Sequence, residues 1–195
     1  SCTACPAHSN SEEGSSRISN CTCNKGYSGP DGQGCQACGE GTYKEVNGST
    51  PCLLCPQGTY SGGMAQIRDD TCKKCPNLTN SREGSTARED CLCNRGYTGD
   101  DGGACAACVA GTYKDVNGSA VCSGCAHGTY STAMGATSEA TCTSCPMYTH
   151  SGEGSSRIVN CTCNKGYTGP DGQACQACVA GTFKDVNGSH ACTGC

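Results

Sequence analysis

The cysteines of this chain stand in a strict 70-residue register, and that register restricts the possible folds more than any other feature. Cys2, Cys72 and Cys142 are 70 apart, and so are Cys21, Cys91 and Cys161, then Cys35, Cys105 and Cys175, then Cys55, Cys125 and Cys195. The spacing in each unit is C-x2-C-x15-C-x-C-x11-C-x2-C-x13-C-x2-C-x16, without insertion or deletion. The repeats are therefore residues 1–70 and 71–140, with 141–195 as part of a third, and residues 1–55 match 141–195 at 37 of 55 positions. An invariant period gives every unit the same junction with its neighbour, so a linear rod or superhelix is expected. Because the third unit stops directly after Cys195 and Ser1 stands where a Met would begin a full chain, a piece of a longer, mature protein is expected.

Composition explains why the cysteines must carry the fold. They number 24 of 195 residues, above the ~8–10% that marks a disulfide scaffold. Removing those 24 from the 35% apolar content leaves about 23%, with no Trp and one Phe, while Gly fills 29 positions. So little apolar surface cannot offset a chain entropy of about 1–2 kcal/mol per ordered residue. Cross-links have to do so. The expected fold class is small, disulfide-rich and mostly irregular, with short β-hairpins and little or no helix. Gly26 to Gly32 and its copies Gly96 to Gly102 and Gly166 to Gly172 read as tight turns. Gly41-Thr42-Tyr43-Lys44 reads as a strand, Asn47-Gly48 as a hairpin turn, and the chain then returns to Cys52. Residues 11–19 are the one mildly helix-like stretch, and Gly14 argues against a helix there.

Two chemistries compete for the cysteines. Paired C-x2-C knuckles suit zinc, and 24 thiolates could fill six sites of four. Against zinc stand the tight Cys21-x-Cys23 pair, the lack of a Lys/Arg excess and the abundance of glycosylation signals, all of which favour disulfides in an oxidising compartment. Spacing alone leaves 105 pairings open for eight cysteines. One scheme suits a rod: the second Cys of each pair bonds the first Cys of the next. It joins Cys5 to Cys21, Cys23 to Cys35, Cys38 to Cys52 and Cys55 to Cys72 in the first repeat. It continues with Cys75 to Cys91, Cys93 to Cys105, Cys108 to Cys122 and Cys125 to Cys142, then Cys145 to Cys161, Cys163 to Cys175 and Cys178 to Cys192. Each loop is worth roughly 3 kcal/mol in the loop-entropy model. Cys2 and Cys195 are left over, so the ladder expects further cysteines on both sides.

Asn-x-Ser/Thr sequons occur at Asn20, Asn47, Asn77, Asn117, Asn160 and Asn187. Asn47, Asn117 and Asn187 follow the period and are expected to carry a regular row of glycans, although an Asn-Gly turn alone would also explain the asparagine. Asn20 and Asn160 have Cys in the middle position and Asp90 as their counterpart, and Asn77 is solitary. The periodic rings Tyr27, Tyr97 and Tyr167, Tyr43, Tyr113 and Phe183, and Tyr60 and Tyr130 read as covers for disulfides or module junctions. Asp31, Asp101 and Asp171 could contribute to a Ca²⁺ site but lack the convergent oxygens that one needs, so no cofactor is expected. His8, His127, His150 and His190 break the period, which excludes repeated His-based centres, and no G-x-S-x-G, H-E-x-x-H or P-loop motif occurs. An enzyme is not expected. A net charge of −4 speaks against a nucleic-acid surface, and no apolar run approaches the ~18–20 residues of a membrane span.

Cys21-Thr22-Cys23-Asn24-Lys25-Gly26-Tyr27-Ser28-Gly29 followed by Cys35 resembles the C-terminal half of an EGF-like module, with a longer last interval and no acidic calcium consensus. Cys38-x2-Gly41-Thr42-Tyr43 to Cys52, and Cys55-x2-Gly58-Thr59-Tyr60 to Cys72, resemble ephrin-receptor-like and tumour-necrosis-factor-receptor-type cysteine-rich modules. Each repeat then divides into an EGF-like half, about residues 1–37 of the unit, and ephrin-receptor-like hairpins, about 38–70. Such arrays are similar to those of protist extracellular fibre proteins of the mastigoneme type and of surface coats. The resemblance implies an extracellular or cell-surface, glycosylated structural protein that self-associates into a filament or coat, without catalytic residues. The alternative it implies is a receptor or adhesion stalk that binds a protein or glycan ligand.

Overall fold

The computed structural model describes residues 3–195. By its internal contacts the chain forms two compact units, one running to Leu92 and including Asp101–Ala104, the other formed by Cys93–Asp100 with Cys105–Cys195. Both are built from a single element used again and again. It opens with a cysteine and a four-residue turn whose third residue has positive φ. In the first repeat these turns are Pro6-Ala7-His8-Ser9, Asn24-Lys25-Gly26-Tyr27, Gly39-Glu40-Gly41-Thr42 and Pro56-Gln57-Gly58-Thr59. In each, the fourth N–H donates to the first carbonyl at 3.1–3.2 Å. Where the fourth residue is Ser9, Thr42 or Thr59, its hydroxyl donates to the same carbonyl at 2.6–2.7 Å.

A two-residue strand leaves the turn, and its partner is the short segment behind the closing cysteine. Thr42–Tyr43 pairs with Leu53–Leu54, Thr59–Tyr60 with Lys73–Lys74, and Tyr27–Ser28 with Gln36–Ala37, all antiparallel. From Gln36–Ala37 onward, the two residues inside a C-x2-C are thus a return strand, with one cysteine closing its own hairpin and the next opening the following one. In the C-x-C case the opening cysteine itself takes a strand position, because Ser9 pairs with Cys23 and Asn10 with Thr22. The second unit repeats the pattern, for example Thr129–Tyr130 with Thr143–Ser144 and Tyr167–Thr168 with Gln176–Ala177. Asn47-Gly48 is consequently not a tight hairpin turn. It lies in a bend between strands that begin at Thr42 and Leu53, and the Gly48 N–H donates to the carbonyl of Cys23 at 2.8 Å.

Among the described residues eleven disulfides close the hairpins, with Cα separations of 5.6–5.8 Å that suit an S–S bridge. Their partners are those of the ladder, from Cys5 with Cys21 to Cys178 with Cys192. Cys195 is exposed and bonded to no other cysteine among the described residues, and Cys2 lies outside them. Sulfur takes the place of a hydrocarbon core: Cys23, Cys55, Cys91, Cys93, Cys125, Cys161 and Cys163 have no solvent exposure, whereas Leu53 and Leu54 are each 54% exposed.

Within a unit, backbone bonds dock successive hairpins on one another. The carbonyls of Cys38 and Cys55 accept the N–H groups of Ala65 and Gly84 at 2.8 and 2.9 Å, and the Gly26 and Gly41 N–H groups donate to Lys44 and Ser61 at 3.0 and 2.7 Å. The only helical segments among the described residues are single 3₁₀ turns such as Ile18–Asn20, Asp69–Thr71 and Ile158–Asn160, each ending directly before a closing cysteine. Residues 11–17 add no helix, and Gly14 sits at φ +80°.

Candidate functional surface

In seven hairpins the position after the outgoing strand is buried and polar, whereas Ser11, Gly29, Gly99 and Gly169 at the equivalent position are half-buried. The buried residues are Lys44, Ser61 and Ser81 in the first unit and Lys114, Ser131, Ser151 and Lys184 in the second. At Lys44, Ser81, Lys114, Ser151 and Lys184 the side chain reaches back to the preceding hairpin and satisfies the carbonyl of that hairpin's first strand residue. Ser81 Oγ donates to Thr59 O and Ser151 Oγ to Thr129 O, both at 2.8 Å. Lys44 Nζ donates to Tyr27 O at 2.7 Å and also to Gly48 O, and Lys184 makes the same pair of bonds to Tyr167 and Gly188. Burial lowers the pKa of Lys44, and the carboxylate of Asp31 opposes that shift. Lys44 is 1% exposed, so its ammonium spans two modules as an internal clamp. In the sequence pattern this lysine is only the end of the strand segment Gly41-Thr42-Tyr43-Lys44. The available signal was its retention as Lys44, Lys114 and Lys184 beside Glu45, Asp115 and Asp185, where the neighbouring charge varies in type.

All six sequon asparagines are exposed. At the periodic set, the side-chain oxygen is anchored to the preceding module: Asn47, Asn117 and Asn187 Oδ1 accept from the N–H groups of Lys25, Arg95 and Lys165 at 3.0 Å. An amide held by its oxygen presents its nitrogen on the other side, and that nitrogen is the atom an N-linked sugar takes. Asn20 and Asn160 serve the turn that contains them, accepting from Arg17 N–H at 3.1 Å and Arg157 N–H at 2.9 Å. Asn77 is the exposed second residue of the turn from Pro76 to Thr79. Asn20 and Asn47 line one polar groove, which the structure brings together and the sequence does not reveal.

Tyr27 and Tyr167 lie at module junctions, whereas Phe183 is 49% exposed and does not cover one. His8 stacks on Tyr27 with centroids 4.1 Å apart, and Tyr148 stacks on Tyr167 at 4.3 Å. His127 and His150 stack at 5.8 Å. The phenol of Tyr113 is raised, first by burial and then by Glu139 and Asp115. Asp31 and Asp171 are exposed, and Asp101 is half-buried with one carboxylate oxygen lacking a hydrogen-bond partner. Every described cysteine except Cys195 has its sulfur in a disulfide, so no thiolate set of the kind zinc requires is present among the described residues. No helix among the described residues is long and apolar enough to cross a membrane.

The sequence matches the family model described as tyrosine-protein kinase ephrin type A/B receptor-like over residues 26–63, 46–91 and 96–142, together more than half of the chain. Cysteine repeat modular protein A of Toxoplasma gondii is 27% identical over 162 residues, 78% of this chain and 5% of that protein. Ephrin type-A receptor 4-B of Xenopus laevis is 36% identical over 80 residues, 41% of this chain and 6% of the receptor. Signal peptide, CUB and EGF-like domain-containing protein 2 of Homo sapiens is 30% identical over 115 residues, 55% of this chain and 11% of that protein. The chain therefore spans a small fraction of the length of the relatives it matches. With the family model matched over more than half of the chain, and with hairpins such as those opening Cys38-x2-Gly41-Thr42-Tyr43 and Cys55-x2-Gly58-Thr59-Tyr60 that close with their own disulfide, this chain belongs to the ephrin-receptor-like family of cysteine-rich repeats.

Proposed function

We propose that the chain is a stretch of an extracellular structural protein, a glycosylated and disulfide-stapled scaffold in a surface fibre or coat that self-associates through its repeated face. The supporting observation is the way in which stability is distributed. Each hairpin carries its own disulfide and meets its neighbour through a cysteine carbonyl, the opening one at Cys23, Cys38 and Cys55 and the closing one at Cys21, so the 70-residue set of junctions can be repeated and no central hydrophobic core is needed. Near-identical copies favour repetition of one mechanical unit over a single specialised binding face, and a non-catalytic role fits a surface without a catalytic constellation. The similarity to a receptor of Xenopus laevis supports a second reading, a stalk that presents a recognition domain elsewhere in the same protein.

The test is to secrete the chain from a eukaryotic cell, alkylate it without reduction, and follow its mass, protease resistance and self-association. The expected result is one alkylated thiol class at the ends of the ladder, resistance that disappears on reduction, and concentration-dependent assembly. A strictly monomeric protein that is captured by a cell-surface ligand would instead support the stalk, and alkylation throughout the chain would overturn both readings.

A further inference from the structure

The two asparagine positions that share a groove differ in what the fold requires of them. At Asn20 the sequon is incidental to structure. Its middle residue, Cys21, is bonded to Cys5, and its third residue, Thr22, is held in a strand against Asn10. In the second repeat Asp90 and Leu92 replace the asparagine and the hydroxyl, yet Asp90 Oδ2 still accepts the N–H groups of Thr86 and Ala87 at 2.8 and 2.9 Å. What persists there is an acceptor oxygen. At Asn47 the opposite holds. Ser49, Ser119 and Ser189 are exposed and make no hydrogen bond among the described residues, yet serine stands there in all three repeats. No contact of the folded chain accounts for that hydroxyl, whereas the Asn-x-Ser/Thr rule does.

Asn47 and Asn20 line a groove of about 360 Å³ together with Asn10, Ser11, Glu12 and Ser15. Carboxamides, hydroxyls and a carboxylate suit the hydroxyl and acetamido groups of a sugar rather than an apolar ligand. We infer that this groove is the seat of the first sugar of an N-glycan on Asn47, so that the Asn47 class is modified and the Asn20 class remains bare beneath it. This rests on the glycosylated reading above. The Oδ1 bond from Asn47 to Lys25 N–H is retained when Nδ2 carries the sugar, which fixes the direction in which the glycan leaves the chain.

Ser49→Ala isolates the effect, since it removes the modification signal and no contact of the protein. The secreted chain and this variant are compared by site-resolved glycopeptide mass analysis and by hydrogen exchange of residues 11–16. The expected result is sugar on Asn47, Asn117 and Asn187, none on Asn20 or Asn160, and faster exchange across 11–16 in Ser49→Ala. Asn20→Asp, which copies Asp90, is expected to leave the glycan mass unchanged. Sugar on Asn20 and Asn47 of the same molecule, or exchange that ignores Ser49→Ala, overturns the seat and leaves the glycosylated scaffold standing. Absence of sugar from Asn47 overturns both.

Discussion

Within each repeat the first hairpin and the later ones adopt the same left-handed turn residue by different means. Gly26, Gly41 and Gly58 hold it in the later hairpins of the first repeat, at φ +71° to +79°. His8, Leu78 and Tyr148 hold it in the first hairpins, at φ +60° to +64°, where a side chain is normally strained. The difference lies in what approaches the residue. A Cβ at Gly41 would sit 2.2 Å from the carbonyl oxygen of Gly84, and one at Gly111 would sit 2.2 Å from that of Gly154. At His8 and Tyr148 a side chain fits, and it stacks on the tyrosine of the next hairpin. The module therefore accepts a side chain at this turn position in the first hairpins, with a ring contact added at His8 and Tyr148 but not at Leu78, and excludes one at Gly41 and Gly111, where another backbone arrives.

The largest effect that would break this comparison comes from adding one methyl group. Gly111→Ala places a Cβ against the Gly154 backbone, and Gly128→Ala adds the same Cβ at φ +77° with nothing within 4 Å. The second change costs only the conformational strain, about 1 kcal/mol. The first adds an overpacked contact and is expected to cost about 3 kcal/mol or more. Hydrogen exchange of the Cys125 amide, which donates to Gly111 O at 2.8 Å, reads the local opening free energy directly. Equal losses in the two variants would show that close approach is not what demands glycine.

A smaller effect sharpens the other side. Tyr148→Gly relieves strain worth about 1 kcal/mol and forfeits a ring stack worth about 0.5–1.5 kcal/mol, so the net change is expected to fall near zero. The Asn164 amide, which donates to Tyr148 O at 2.9 Å, is the reporter. A loss as large as that of Gly111→Ala would mean that the ring does more than offset its own strain.

The comparison also shows what could be read from the residues alone. The intervals inside a repeat left 105 pairings open, and only the added requirement of a linear rod with local closure singled out the ladder whose loops the disulfides form. The equivalence of the first hairpin was hidden because Cys5-Pro6-Ala7-His8-Ser9 lacks the glycine that marks Cys38-x2-Gly41-Thr42, and the turn geometry reveals it. Asn47-Gly48 suggested a local turn because the bond that governs it comes from Lys25, 22 residues earlier. Lys44 was opaque for the same reason: a lysine is expected in water, and the carbonyls of Tyr27 and Gly48, with the Asp31 carboxylate, make its burial tolerable.

The smallest expected effect concerns Asn20, Asp90 and Asn160, where equivalent positions differ in charge instead of shape. Each supplies an oxygen to backbone N–H groups of its own 3₁₀ turn, but only Asp90 can titrate. The Ala87 N–H bond, and after it the Thr86 N–H bond, hold its carboxyl below the ordinary 3.8. Between that lowered folded value and 3.8 the unfolded chain binds more protons than the folded one. Stability from this group is therefore complete above 3.8 and is lost as pH falls through the folded value. Asp90→Asn keeps an acceptor and removes the proton linkage, so the protection of the Cys91 amide, which donates to Arg88 O at 3.0 Å, should lose its acid limb. Its behaviour should then approach that of Cys21 and Cys161, which follow Asn20 and Asn160 and should show no such limb in the unmodified chain. An acid limb that persists in Asp90→Asn would locate the pH dependence elsewhere, and the carboxylate would be left with the same neutral capping role as the two asparagines.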